Sequence, residues 1–249
     1  MKTANVLLCV LAVVFFATAA QAALVTVPPG LSPGDPYRLV FVTSGTWQDP
    51  QVSGGLDIAI PNTRVNNAAN AVPGLAALGT TWTIIGSVLN TNANANTLTR
   101  GSDPSYPIYN LAGERVASGN STLWGTALEN PIRVNELGDT LSVRVWTGTD
   151  SNNGQRRGDW FLGDTGGGWR YFGWSGQTVG SFTGNSVPGD ATGWASNLGQ
   201  NWPMTFSYYA MSGTLRAPEQ GDIPEPATMA LLGLAAAGLG GYIRRRRTA

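Results

Sequence analysis

No histidine occurs anywhere in the sequence, and lysine and cysteine occur once each, as Lys2 and Cys9. Each absence removes a chemistry. Without histidine there is no Ser-His-Asp or Cys-His machinery. Without histidine or a second cysteine, a zinc site has no ordinary ligands. With the single lysine at position 2, a Schiff-base lysine or a Ser-Lys pair is excluded from the body of the chain. What remains is carboxylate chemistry of the glycosidase kind, or Ca²⁺ held by oxygen ligands. Disulfides are excluded as well, so stability has to come from packing, for which nine tryptophans supply area.

Charge is also scarce, at 12% of residues. The formal net charge of zero hides an uneven distribution. Residues 23–222 carry ten arginines against fourteen Asp/Glu, a net of −4, and Arg244–Arg247 restore the balance. An acidic body of this kind is not a nucleic-acid surface.

The two ends read as targeting segments. Met1 and Lys2 give a positive start, Val6–Ala20 is almost wholly apolar, and Ala20-Gln21-Ala22 places small residues at the two positions a signal peptidase inspects. A secretory signal over 1–22 is expected, cleaved after Ala22. Leu8 stands before Cys9 where a lipoprotein signal needs a small residue. At the other end, Met229–Ile243 is 15 residues without a charge, inside an expected membrane helix over 227–243. This is shorter than the about 20 apolar residues of an ordinary span. Arg244, Arg245, Arg246 and Arg247 then form a cytoplasmic stop by the positive-inside rule. Pro224-Glu225-Pro226 precedes the run, and its prolines hold that stretch extended and accessible.

Pro-Glu-Pro, a short membrane helix and an arginine-rich terminus, in that order, resemble the PEP-CTERM sorting signal, here over 220–249. The resemblance implies export, membrane retention, recognition by an exosortase-type enzyme with cleavage near the motif, and a Gram-negative source that makes extracellular polysaccharide. The expected partners are that enzyme, signal peptidase, the membrane and extracellular polysaccharide, with no nucleic acid.

The 23–219 region reads as one α+β extracytoplasmic domain. "YRLVFVTS" (37–44) and "FSYYAMSGTLR" (206–216) are strands, expected to pair antiparallel with either Leu39 and Phe41 or Val40 and Val42 facing inward. "NTRVNNAANAVPGLAALG" (62–79) has helical spacing interrupted by Pro73, with Gly79 as C-cap. "TWTIIGSV" (81–88) is a buried strand or turn, and 89–105 a long polar surface loop. "YPIYNLAGERVAS" (106–118) is a hairpin turning near Ala112-Gly113. "STLWGTAL" (121–128) is a helical turn presenting Trp124. "LSVRVWTGT" (141–149) is the core strand, followed by an irregular Gly/Trp-rich stretch over 150–205. The sheet is expected to be mainly antiparallel, with one or two short helices.

The "LVFVTS", "LGTTW", "IYNLAGERVA", "VWTGT" and "YAMSG" segments resemble an ectodomain recurrent among PEP-CTERM exported proteins. The last strands and the Gly/Trp loop also resemble endostatin-like and C-type-lectin-like folds. That second resemblance implies paired end strands and a long presented loop. It transfers no sugar ligands, because the Trp-Asn-Asp triplet and the cysteines of such folds are absent.

Candidate ligand residues sit in "DSNNGQRRGDWFLGD": Asp150, Asn152, Arg156, Arg157, Asp159 and Trp160, with Asp164 beyond. Their oxygens admit Ca²⁺, although glycine at the fifth place and the missing closing Glu depart from an EF-hand, and Asp/Asn-Gly clusters commonly form turns. Arg156-Arg157 is a candidate clasp for an acidic polysaccharide. Trp160, Trp169, Tyr171, Trp174, Trp194 and Trp202 read as core, with one or two left for a glycan surface. Glu114, Glu129 and Glu136 are the carboxylates a glycosidase would need, but no spacing sets two of them face to face. The sequence therefore favours a surface or exopolysaccharide-matrix protein that is not an enzyme and needs no cofactor. A glycan-binding, Ca²⁺-supported module is the alternative, and a carboxylate hydrolase the third choice.

Overall fold

The computed structural model describes residues 24–48, 55–125, 127–150, 153–156, 161–164, 171–178, 197–198 and 204–219. Its centre is a pair of strands from opposite ends of the domain. β1 (Pro36–Val42) is a run of β-branched and aromatic residues suited to a pleated surface. It pairs antiparallel with β9 (Thr205–Ser212), with Val40 opposite Met211 and Val42 opposite Tyr209. The end-to-end pairing expected from the sequence is present. The choice between two inward faces is not, because both faces of β1 are covered. Leu39 and Phe41 enter one core, Val40 and Val42 another, and all four are fully buried. A strand buried on both sides reads as a continuous apolar run rather than an alternating one.

The other elements build outward from this pair. They are β2 (Trp47–Gln48), α1 (Ala59–Asn70), α2 (Pro73–Ala76), β3 (Trp82–Ile84), α3 (Ala93–Asn96), β4 (Ile108–Asn110), β5 (Arg115–Ala117), α4 (Asn120–Leu123), β6 (Arg144–Trp146), β7 (Tyr171–Trp174), β8 (Asn197–Leu198) and β10 (Leu215–Arg216). The main path of the sheet runs β5-β4-β1-β9-β6-β7-β8, with β10 joined to β1 and β2 and β3 joined to β9. The sheet is mixed. β1–β4 and β6–β9 are parallel pairs, and the remaining pairs are antiparallel. Three of the helices are single turns, so the described residues hold more helix than the one or two expected. The 150–205 stretch, expected to be irregular, contributes β7 and β8. Among the described residues no helix is long and apolar enough to cross a membrane. The expected signal (1–22) and membrane helix (227–243) lie outside them.

Pro73 divides the helical region as its chemistry requires. Val72, the residue before it, is extended at φ −103°, ψ 115°, and α2 starts at the proline itself. α1 buries Val65 and Ala69 in the first core. Its asparagines do a second job. Asn62 Oδ1 accepts the Ile84 N–H at 2.9 Å and Asn66 Oδ1 accepts the Trp82 N–H at 3.1 Å. The free edge of β3 is thus satisfied by helix side chains instead of another strand.

The core beneath α1 is aromatic. Phe41 meets Trp82 edge-on at 5.0 Å, Trp47 stacks on Tyr208 at 5.0 Å, and Trp146 lies 4.2 Å from Phe206. The Trp146 indole N–H donates to the Trp47 carbonyl at 2.9 Å. The opposite core holds Val40, Val42, Ile85, Val116, Ile132, Val145 and Met211, closed by segments between residues 93 and 132.

Candidate functional site

The segment 89–105 is exposed at Arg100–Ser102 and at Pro104 and Ser105, as its polarity implies, but not throughout. Ala93, Asn94, Thr97 and Thr99 are buried, because these residues satisfy backbone groups while forming a lid on the second core. α3 ends at Asn96, and two residues on Leu98 takes a left-handed φ of 53° and is exposed. That conformation is costly for a non-glycine residue. It turns the chain so that Thr99 N–H returns to the Asn94 carbonyl at 2.8 Å. Thr99 Oγ1 then meets Thr97 Oγ1 at 2.8 Å and accepts the Trp124 indole N–H at 2.9 Å.

α4 is stapled to the same segment. Asn120 Nδ2 donates to the carbonyls of Arg100, Asp103 and Pro104 at 3.1, 3.3 and 3.3 Å. Its backbone N–H donates to Ser105 Oγ at 2.8 Å. A methyl group on Gly119 would stand 2.3 Å from that hydroxyl oxygen, so only glycine allows the approach. A third wall is the turn 150–155, closed by Asp150 N–H to the Gln155 carbonyl at 2.7 Å and Gly154 N–H to the Asp150 carbonyl at 2.9 Å. It docks on α3 through Asn94, whose N–H donates to the Gly154 carbonyl at 2.9 Å and whose Nδ2 donates to the Asn153 carbonyl at 2.8 Å. Gly154, at φ 68°, lies against the Trp124 ring; a side chain there would meet ring carbons at 2.6 Å.

Between these walls lies a polar groove of about 310 Å³ lined by Asn94, Thr99, Arg100, Gly101, Asn120, Ser121, Trp124 and Asn153. This is at the lower end of the about 300–1,000 Å³ typical of ligand sites. Trp124 contributes to the wall but is only 7% exposed, so it is not presented as the sequence reading expected.

Arg38, on the second face of β1, stands behind the groove. It is 5% exposed, and its Nη1 donates to the Thr97 carbonyl and, at 3.3 Å, to Met211 Sδ. Its Nε has no partner. Burial pulls the guanidinium pKa below its ordinary value, while Asp103 and Tyr106 act in the opposite direction.

Of the ligand residues read from the sequence, Asp150, Arg156 and Asp164 are described, and Asp164 is buried. Asp150 opens the turn; the Arg156 N–H donates to Asn92 Oδ1 at 3.0 Å, and its guanidinium lies 5.4 Å from the centre of the Phe161 ring. Asn152, Arg157, Asp159 and Trp160 lie outside the described residues. So do Ala20, Ala22, Pro224, Glu225, Pro226 and Arg244–Arg247. Among the described residues no group of three or more His, Cys, Asp or Glu stands close enough to hold a metal. The three glutamates are each engaged separately. Glu114 accepts from Asn110 Nδ2 at 2.8 Å and from Arg133 at 3.3 Å, Glu129 pairs with Arg115 at 2.7 Å, and Glu136 accepts the Ser44 N–H at 2.9 Å and its hydroxyl. What the sequence reading missed is the groove itself. Its one signal was the density of Asn and Thr over 90–99, too great for an ordinary solvated loop.

The chain therefore combines a folded domain with a separate C-terminal segment that is a sorting address. Residues 222–247 match the PEP-CTERM protein-sorting motif, consistent with an exosortase substrate. The match supports export and sorting through the C-terminus. A comparison with curated proteins found no match.

Proposed function

We propose that this protein is a surface or exopolysaccharide-matrix component of a Gram-negative cell. It is exported by its 1–22 signal, held at the membrane by 227–243, and processed near Pro224-Glu225-Pro226. The observation that carries this reading is the sorting motif at 222–247. Its test is intact-mass and localisation analysis. Replacing Arg244–Arg247 by Gln is expected to cause mis-sorting or loss of cleavage with the domain still folded, and Glu225→Ala to block processing with retention intact. Unchanged mass and location in both variants would reduce the tail to a plain anchor. In spheroplasts, external protease is expected to digest 23–219; protection of that region would reverse the topology.

A second reading is favoured by the groove: the domain binds a glycan without acting on it. Polar amides, hydroxyls and an arginine around a cavity of about 310 Å³ are the chemistry that hydrogen-bonds sugar hydroxyls. The paired end strands β1 and β9 are the feature that supports a C-type-lectin-like or endostatin-like assignment. We propose no catalytic role: Glu114, Glu129 and Glu136 are each tied to different partners and form no facing carboxylate pair.

A further inference from the structure

Resting on the glycan-binding reading, we infer that the groove takes an acidic saccharide, a uronate unit whose carboxylate faces Arg100 and whose hydroxyls meet the amide and hydroxyl walls. The first argument is charge. Over 23–222 the chain is acidic by four charges. The segments around the groove are instead balanced, with Arg100 and Arg156 against Asp103 and Asp150, and Asp103 Oδ2 accepts the Arg100 backbone N–H at 2.6 Å. Among the described residues that line the groove, Arg100 is the one that carries a charge, and it is positive. A lining whose single charge is positive attracts an anion.

The second argument is the buried cation. Arg38 makes no ion pair among the described residues and leaves Nε without a hydrogen bond, although Asp103 acts on it through its charge. Holding such a charge inside a protein is costly. Its Nη1 donates to the carbonyl of Thr97, the residue whose hydroxyl meets Thr99 Oγ1, and Thr99 Oγ1 accepts the indole N–H of Trp124 on the groove wall. A ligand carboxylate in the groove would add to the negative charge of Asp103, in a partly desolvated place where Coulombic attraction exceeds that in water.

The third argument is what the walls offer. The Asn120 amide nitrogen is used by three carbonyls, so the side chain presents Oδ1, an acceptor for a sugar hydroxyl. Asn94 is placed alike, its nitrogen held by the Asn153 carbonyl. Ser121 adds a hydroxyl. Gly154 lies against the Trp124 ring, and Trp124 is only 7% exposed, so little of it is open for a sugar's apolar face to stack on. The groove is therefore equipped for hydroxyls and a charge.

The test is titration calorimetry of the full-length protein in detergent at low salt, with trigalacturonate and, in parallel, neutral maltotriose. The acidic trisaccharide is expected to bind about tenfold more tightly, the worth of one charge-assisted hydrogen bond, and added salt to erase the difference. Arg100→Gln is expected to remove the preference with an unchanged melting curve, and Ser121→Trp to fill the groove and abolish binding of both sugars. Arg38→Met, which removes the buried charge together with its hydrogen bond to the Thr97 carbonyl, is expected to weaken the preference while the domain still melts cooperatively. Equal affinity for the two sugars, or a preference unaffected by Arg100→Gln, overturns the inference and leaves the glycan reading standing. No binding of either sugar at millimolar concentration overturns both.

Discussion

The two faces of the central sheet are built on opposite plans. The face under α1 is filled with rings, Tyr37, Phe41, Trp82, Trp146 and Tyr208, packed edge-on or stacked. The other face holds Val40, Val42, Val145 and Met211, and its cover is loops and single-turn helices rich in Asn and Thr, with Arg38 beneath them. One face is helix-covered and filled mainly by rings, with the Trp82 indole N–H as an unpartnered polar atom among them. The other accepts more buried polar groups and a buried cation, and it carries the groove. The difference separates what holds the domain together from what equips it to meet a ligand: stability is concentrated on one side, and the other tolerates expensive groups.

The most severe way to break this division is to remove what both faces share. A chain ended at Met204 lacks β9, which pairs with β1, β2, β3 and β6. It is expected to lose cooperative thermal unfolding, whereas a chain ended at Glu219 keeps it; equal melts would refute the central place of β9. Next, Trp146→Ala on the aromatic face is expected to destabilise by about 3–5 kcal/mol, a large part of the roughly 5–15 kcal/mol a domain has. Urea unfolding measures this. Milder is Trp82→Phe, whose indole N–H has no partner to lose; it is expected to cost under about 1.5 kcal/mol. On the second face, Arg38→Met is expected to leave the urea midpoint unchanged or raise it, since an apolar side chain replaces a buried charge that makes no ion pair among the described residues. A drop as large as that of Trp146→Ala would abolish the contrast between faces.

Smaller still is a pH effect. Burial raises the Tyr209 pKa well above its ordinary value and raises that of Tyr37. Above about pH 10 the unfolded tyrosines ionise and the folded ones do not. The unfolded state then binds fewer protons, so stability, complete below that pH, falls as pH rises. Denaturation midpoints from pH 8 to about pH 11 are expected to decline, and Tyr209→Phe to flatten the decline. Arg115→Gln, at an exposed pair with Glu129, is expected to leave the midpoint where it was.

Much of the fold was readable where one residue type dictates geometry. Pro73 divides α1 from α2, the Ala112-Gly113 turn lies between β4 and β5, and the apolar strands at 37–44 and 206–216 are β1 and β9 with β10. The readings that failed share a cause. β1 lies in the middle of the sheet, so a pattern sought as alternation is a run buried on both sides. The Asn- and Thr-rich 89–105 segment is largely exposed after residue 99 but buried at Ala93, Asn94, Thr97 and Thr99, where Asn94 and Thr97 act as backbone partners and Thr97 meets Thr99. The groove joins residues 94, 120 and 153, whose proximity depends on tertiary contacts that no local spacing encodes.

The late position of β9 also sets an order in time. The Leu39 N–H donates to Ser212 Oγ across 173 positions, so the centre of the sheet is a contact between the first strand and nearly the last. Such long-range closure is slow and comes late. A chain threaded outward from its N-terminus holds β1 without β9 until residue 212 has emerged, and five residues separate β10 from the sorting motif. The central strand pair is therefore completed only when nearly the whole domain is present, just ahead of the sorting motif.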